Sequence, residues 1–245
     1  MDTRKRKLNG ASAEGYGGKC LKNNGVCLKN LINVCLYVPR DFIALQETEK
    51  STNLALKGAA HSKYDVVYHN TLSIFYDSSK WEQKGITVTG TIVVGREYLG
   101  CIFLNKTTLC TCALINLHGP HNSFHRTPIV QKVLDENANL CISHVFLMGD
   151  FNNERESRQS VSVSKFKLKA ANDQKTGWNV HGMKGKDAYK LCVDNVLGTG
   201  TIVGCETWHN SKDLLPNEYH TSSKPYFHYA NNTSDHSPVA TLWEL

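Results

Sequence analysis

The sequence predicts an α+β fold dominated by strands, with two mixed sheets packed face to face and helices on their outer faces. Three observations predict it. Short runs rich in β-branched and aromatic residues recur along the chain, separated by polar turns. Only two segments carry helical periodicity, and each precedes an apolar run of strand length. Some of those runs, such as "VFLM" at 145–148, are apolar without alternation and need cover on both faces. A doubly wound α/β fold would need a helix between most strands, and the sequence does not offer them.

The elements follow in order. "CLKNLINVCLYV" places Cys27, Leu28, Leu31, Ile32, Cys35 and Leu36 at the i, i+3, i+4, i+7 spacing of an amphipathic helix, which Pro39 ends. "DFIALQE" reads as a buried strand ending at Glu47. "YDVVYH", "LSIFYD", "ITVTGTIVV", "LGCIFLN" and "TLCTCALINLH" read as five further strands. "TPIVQKVLDENANLCI" is helix-like, and "HVFLMGD" is a strand again. "SVSVSKFKLK" alternates like an edge strand guarded by lysines. "AYKLCVDNVLG" and "PVATLWEL" supply the last strands. No repeat, linker or low-complexity run divides the 245 residues, so they are read as a single domain over 1–245. Residues 1–10 are read as a basic arm or a degraded first strand.

Composition narrows the function classes. No run of 18 apolar residues exists, so no membrane insertion is expected. The basic start "MDTRKRKLNG" leads into no apolar h-region, which predicts an intracellular protein, cytoplasmic or nuclear. The nine cysteines form no CxxC pair and are read as reduced thiols packed as small hydrophobes. Asn105, Asn231 and Asn232 begin glycosylation sequons, read as chance matches. The formal charge is +6, and the nine Lys/Arg against three Asp/Glu between Arg155 and Lys190 equal that surplus. Such a segment suits a phosphate-rich partner or is a solvated loop with ordinary lysines. Phe166, Trp178, Tyr189 and Trp208 stand near it and are equally readable as base-stacking or structural. No protein partner is readable, and the chain is read as a monomer.

Chemistry-bearing residues gather at strand ends. Glu47 ends "IALQE", Asn116 and His118 end "ALINLH", and Asp150 and Asn152 end "FLMGDFN". Asp194 and Asn195 lie inside "YKLCVDN", and Asp235 and His236 precede the last strand. Each alone has a structural explanation, an Asx turn or a satisfied core histidine. Five such strand ends in one chain point to a shared site.

In that order, "LQE", "NLH", "GDFN", "VDNVL" and "SDHSPV" resemble the endonuclease/exonuclease/phosphatase superfamily with the pancreatic-deoxyribonuclease-like fold. The resemblance spans roughly Asp41 to Leu245. It implies a four-layer α/β/β/α sandwich with the site at one end, and Mg²⁺-dependent cleavage of phosphate esters, with Mn²⁺ as a substitute. It implies Glu47 as the principal metal ligand, with Asp235 contributing and Asn9, by order, standing in for an opening-strand asparagine. Asp150 would take a proton from the attacking water, and Asn152 would orient that water or a phosphoryl oxygen. His236, oriented by Asp194, would stabilise charge on the scissile phosphate. His118 would contact phosphate or assist the leaving group, with Asn116 bracing its turn and Asn116 and Asn195 on the substrate side. A nucleic acid, DNA or RNA, is the expected substrate.

The sequence departs from the pattern in two places. The opening motif normally carries a Trp and paired amides, and here only "KRKLNGAS" is present. Glu49 stands where deoxyribonuclease-like relatives often keep an Arg, so "QETE" looks more like the branch that trims poly(A) tails. A small-phosphate or inositol-phosphate phosphatase, and a binding module without turnover, are the competing readings. His118, His121 and His125 in "HGPHNSFH" superficially suggest zinc, but Gly119 and Pro120 break any helix that would align them.

Overall fold

The computed structural model describes residues 40–48, 50–59, 63–173, 176–178, 189–207 and 239–245. The expected helix over 27–36 and the expected site residues Asn9, Asp235 and His236, with Glu49 and Trp208, lie outside them. The described elements run β1 (Phe42–Leu45), α1 (Lys50–Ala59), β2 (Tyr64–His69), β3 (Leu72–Asp77), β4 (Trp81–Val93), β5 (Arg96–Asn105) and β6 (Thr111–His118). They continue as α2 (Thr127–Asp135), β7 (His144–Asp150), α3 (Glu154–Arg158), β8 (Val161–Val163), β9 (Phe166–Ala170), β10 (Gly177–Trp178), β11 (Tyr189–Leu191), β12 (Asp194–Gly198), β13 (Thr201–Thr207) and β14 (Val239–Glu244).

A seven-stranded sheet in the order β4-β5-β6-β7-β12-β9-β8 forms the centre. It is mixed, because β6 and β7 run parallel while their outer neighbours are antiparallel. The parallel pair needs a crossover, and α2 provides it. Period-two alternation sends the two faces of this sheet into different cores. Ala113, Ile115 and Leu117 of β6, with Val145 and Leu147 of β7, pack against Val130 and Val133 of α2. Cys112 and Leu114, with Phe146 and Met148, pack against Leu72 and Ile74 of β3.

That second contact joins the three-stranded sheet β1-β3-β2 to the central one. Phe42 knits the two together, its ring 4.7 Å from Trp81 and 5.2 Å from Phe103 between centroids. On the far side of the small sheet, Leu56 of α1 packs on Tyr64 and Phe75. The layers are therefore α1, small sheet, large sheet and α2, the expected α/β/β/α sandwich. β13 and β14 pair with each other, and Trp243 of β14 meets Phe146 edge-on at 5.4 Å on the inter-sheet face.

Several elements differ from the sequence reading, among them α3 and β10, which it did not contain, and "SVSVSKFKLK", one edge strand there and the pair β8 and β9 here. Helix α1 has no apolar stripe, since Leu54 is exposed while Thr52 and Asn53 are buried, so its periodicity is hidden. β13 was not expected. The single strand expected over 188–198 breaks in two, because the Val193 and Asp194 amides both donate to Thr176 Oγ1, at 3.2 and 2.9 Å. The chain then leaves β10 for β7 as its ladder partner. Among the described residues no helix is long and apolar enough to cross a membrane.

Candidate active site

Strand register brings the site together. His118, the last residue of β6, stands opposite Asp150, the last of β7, and Asp150 stands opposite Asp194, the first of β12. Three polar residues from separate parts of the chain thus occupy one row across adjacent strands. β7 can approach β6 here because residue 149 is glycine. Its φ is +138°, and a Cβ on it would lie 2.1 Å from the Leu117 carbonyl oxygen. The Gly119 amide then donates to the Asp150 carbonyl at 2.7 Å, and the Phe151 amide to the Val193 carbonyl at 2.8 Å.

Glu47 arrives from the other sheet. Asn116, completely buried on β6, donates from Nδ2 to the carbonyls of Leu45 (2.8 Å) and Ser73 (2.9 Å), and its Oδ1 accepts from Gln46 Nε2 at 2.6 Å. One carboxamide thereby ties β1 and β3 of the small sheet to β6 of the large one, two residues before Glu47. Glu47 itself sits at φ +56°, a left-handed conformation that costs a non-glycine residue about 1–2 kcal/mol. The Thr48 amide, donating to the Thr71 carbonyl at 3.0 Å, holds the chain just past it.

The result is a histidine between two carboxylates. His118 Nε2 lies 3.6 Å from Asp150 Oδ2 and 3.8 Å from Glu47 Oε1. The His118 and Asp150 side chains are nearly buried, while Glu47 keeps 32% of its side chain in solvent. Asn152, at φ +51°, folds back so that its amide donates to Asp150 Oδ1 at 2.7 Å and its Nδ2 to Asp150 Oδ2 at 2.8 Å. Nδ2 also donates to the Gly119 carbonyl at 3.1 Å. Charge-assisted bonds of this kind hold a carboxylate in one orientation. Asn152 therefore grips Asp150, a different use of its amide from the water or phosphoryl contact expected.

Arg96, which the sequence reading missed, places its guanidinium Nη1 against both ring nitrogens of His118, 3.0 Å from Nδ1. No sequence signal marks it, for it follows the β4–β5 turn among unremarkable residues. Behind the site, the loop after β6 is fastened to the loop after β7. Asn153, the N-cap of α3, donates to the His121 carbonyl at 3.2 Å. Arg126 Nε meets Glu156 Oε2 at 3.0 Å, and Ser123 donates to Glu156 Oε1 at 2.6 Å. Burial pushes the Arg126 guanidinium below its ordinary pKa range, and the Glu156 carboxylate opposes that shift.

Asn195 is 2% exposed. Its Nδ2 donates to the carbonyls of Ser157 (2.9 Å) and Asn172 (2.7 Å), and its Oδ1 accepts from the Asn172 amide at 2.8 Å. Asn116 and Asn195, both expected on the substrate side, thus spend their amides inside the protein as braces. The three-histidine zinc reading does not hold, because His118 is buried while His121 and His125 are exposed. Among the described residues no group of three His, Cys, Asp or Glu stands close enough to cage an ion. Mg²⁺ needs no such cage, since it takes oxygen ligands, retains several waters and uses one or two carboxylates. The part-exposed Glu47 carboxylate fits that demand, and Asn9 and Asp235 lie outside the described residues.

The chain has the endonuclease/exonuclease/phosphatase fold. A mannosyl-6-phosphatase of Bacteroides thetaiotaomicron superimposes with a TM-score of 0.62 at 14% identity, covering 94% of this chain and 95% of its own. An endonuclease/exonuclease/phosphatase family protein from the same organism gives 0.62 at 15%, covering 94% of each. A humanized D. rerio TDP2 gives 0.63 at 16%, covering 94% and 96%. Neither a protein-family model nor a curated protein matches the sequence.

Proposed function

We propose that this chain is a Mg²⁺-dependent phosphoric ester hydrolase that cleaves phosphodiester bonds in nucleic acid. The observation that supports this best is the pair of carboxylates, Glu47 and Asp150, flanking one buried histidine at the end of a four-layer sandwich. Glu47, with Asp235 and Asn9, would hold the metal. Bound there, Mg²⁺ would supply Lewis-acid polarisation of a phosphoryl oxygen. Asp150, fixed by Asn152, accepts the proton of the attacking water. His118 protonates or hydrogen-bonds the departing oxygen, and Arg96 adds a permanent positive charge facing the developing anion. His236, oriented by Asp194, donates to the scissile phosphate.

The surplus of nine Lys/Arg over three Asp/Glu between Arg155 and Lys190 favours a polyanionic substrate over a small ester. Hydrolysis of a small phosphate is the second reading, favoured by the likeness to the mannosyl-6-phosphatase. A panel of single- and double-stranded DNA, poly(A) RNA, and sugar and inositol phosphates, run with Mg²⁺, Mn²⁺ or chelator, tests both. Metal-dependent shortening of an oligonucleotide, lost in Glu47→Gln and His236→Ala, is the expected result. Release of inorganic phosphate from a small ester with oligonucleotides intact moves the function to the second reading. Oligonucleotide binding without cleavage in either metal leaves a binding module and overturns both.

A further inference from the structure

The basic surplus has a described portion with a definite geometry. Lys167 and Lys169 alternate with the buried Phe166 and Leu168 along β9, so both lysines emerge on the face opposite α2. Lys165 precedes them in the β8–β9 turn, and all three are exposed. Among the described residues none of the three enters an ion pair; Lys165 lies over the Phe166 ring, 5.2 Å from its centroid. The solvated-edge reading makes a specific demand, that guarding charges stand on the outermost strand, whose backbone is open to pairing. That strand is β8, and its sequence is Val161-Ser162-Val163. The lysines stand instead on β9, which pairs with β8 over residues 166–168 and with β12 at Lys169 and Ala170.

Their direction matters as well. β9 runs from Lys165 towards Asn172, whose Nδ2 donates to the Asp194 carbonyl at 3.1 Å. Asp194 is the register partner of Asp150. Lys169 is opposite Gly198, four residues along β12 from Asp194, or about 13 Å of strand. The row thus points up the sheet at the catalytic end.

We infer that Lys165, Lys167 and Lys169 form a track that holds the phosphate backbone of a single-stranded nucleic acid leading into the site. This deepens the proposed function and rests on it for the identity of the site, but the binding it predicts is measurable without turnover. A fluorescent single-stranded oligonucleotide, as DNA and as RNA, is titrated in chelator across a salt series. The triple variant Lys165→Gln/Lys167→Gln/Lys169→Gln is expected to bind about tenfold more weakly, with its log–log salt slope reduced by about 2, three contacts at roughly 0.7 each. A control losing the same charge elsewhere, Lys84→Gln/Lys106→Gln/Lys132→Gln, is expected to keep the wild-type slope. Hydrolysis of bis(p-nitrophenyl) phosphate, too small to reach the track, should be equal in all three proteins.

Equal affinity and slope in track and control variants overturn the inference. So does track-dependent binding to phosphatidylserine vesicles with no oligonucleotide binding. A protein that binds through the track yet hydrolyses no ester sinks the proposed function and leaves the track standing. One that cleaves oligonucleotides with the track variant unimpaired does the reverse.

Discussion

Replacing Asn116 by alanine tests how the site is built. The change leaves the Leu45 and Ser73 carbonyls without their donor in a fully buried position, and Gln46 without its acceptor. Each orphaned buried group costs about 1–3 kcal/mol. Gln46 is only partly buried and can turn to water, so the two carbonyls dominate and the expected loss is about 4 kcal/mol. With urea m-values of about 1–3 kcal/mol/M, the denaturation midpoint should fall by more than about 1 M. Asn116→Asp should be no milder, because it keeps the shape but aims acceptors at carbonyls. Leu45 is two residues from Glu47, so the Mg²⁺ concentration for half-maximal activity should also rise about tenfold, as when a residue supporting a metal ligand is lost. Leu114→Ala, in the inter-sheet core of the same strand, should cost a similar stability, about 2–5 kcal/mol, without altering the Mg²⁺ requirement. A midpoint close to wild type, or equal Mg²⁺ effects in Asn116→Ala and Leu114→Ala, would refute the reasoning.

Further outcomes follow from the same geometry. Gly149→Ala should cost about 4 kcal/mol or more, or abolish soluble expression, because the new Cβ meets the Leu117 carbonyl and φ is +138°; unfolding curves or soluble yield report it. Glu156→Gln should lose about 3–5 kcal/mol by stranding the buried Arg126 charge, read by the same denaturation curves. Burial pushes the Asp77 carboxyl up, but the Ser79 hydrogen bonds and Lys63 outweigh it and leave the pKa below its ordinary range. A depressed folded pKa stabilises above the unfolded value of about 3.9 and loses that contribution as pH falls through the folded one. Asp77→Asn should therefore be less stable than wild type at pH 7, with the gap narrowing below about pH 4 in a pH series of melts. Burial pushes the Cys101 thiol up to about 12, so Cys101 should resist a thiol reagent that labels the exposed Cys141 in the native protein, as peptide mapping would show.

Much of the fold was legible because the two buried strands announce themselves. "ALINLH" and "VFLMGD" are apolar on both faces, and they lie at the middle of the seven-stranded sheet, covered by α2 on one side and the small sheet on the other. Helix α1 was illegible because it buries Thr52 and Asn53 and exposes Leu54, so amphipathicity gave no sign. At the candidate site, the polar strand ends pointed to residues that the register brings together, Glu47, His118 and Asp150, but not to every bond they make. Gln46 and Asn116 both lie within the signature, and they turn out to hydrogen-bond one another across two sheets. Asn152 and Asn195 likewise serve the backbone and a carboxylate. A side-chain type shows what bonds a residue can make; only the register of distant strands determines which partner it finds. Arg96 shows the converse, since nothing in its neighbourhood distinguishes it until β5 sets it beside His118.

The most direct test of the proposed chemistry is the rate at which Asp150→Asn cleaves a labelled oligonucleotide in saturating Mg²⁺. The substitution keeps the shape and replaces the proton acceptor, so a loss of about 10²-fold or more is expected while oligonucleotide affinity in chelator stays at the wild-type level. Cleavage by Asp150→Asn at the wild-type rate, or wild-type cleavage undiminished by chelator, would contradict it.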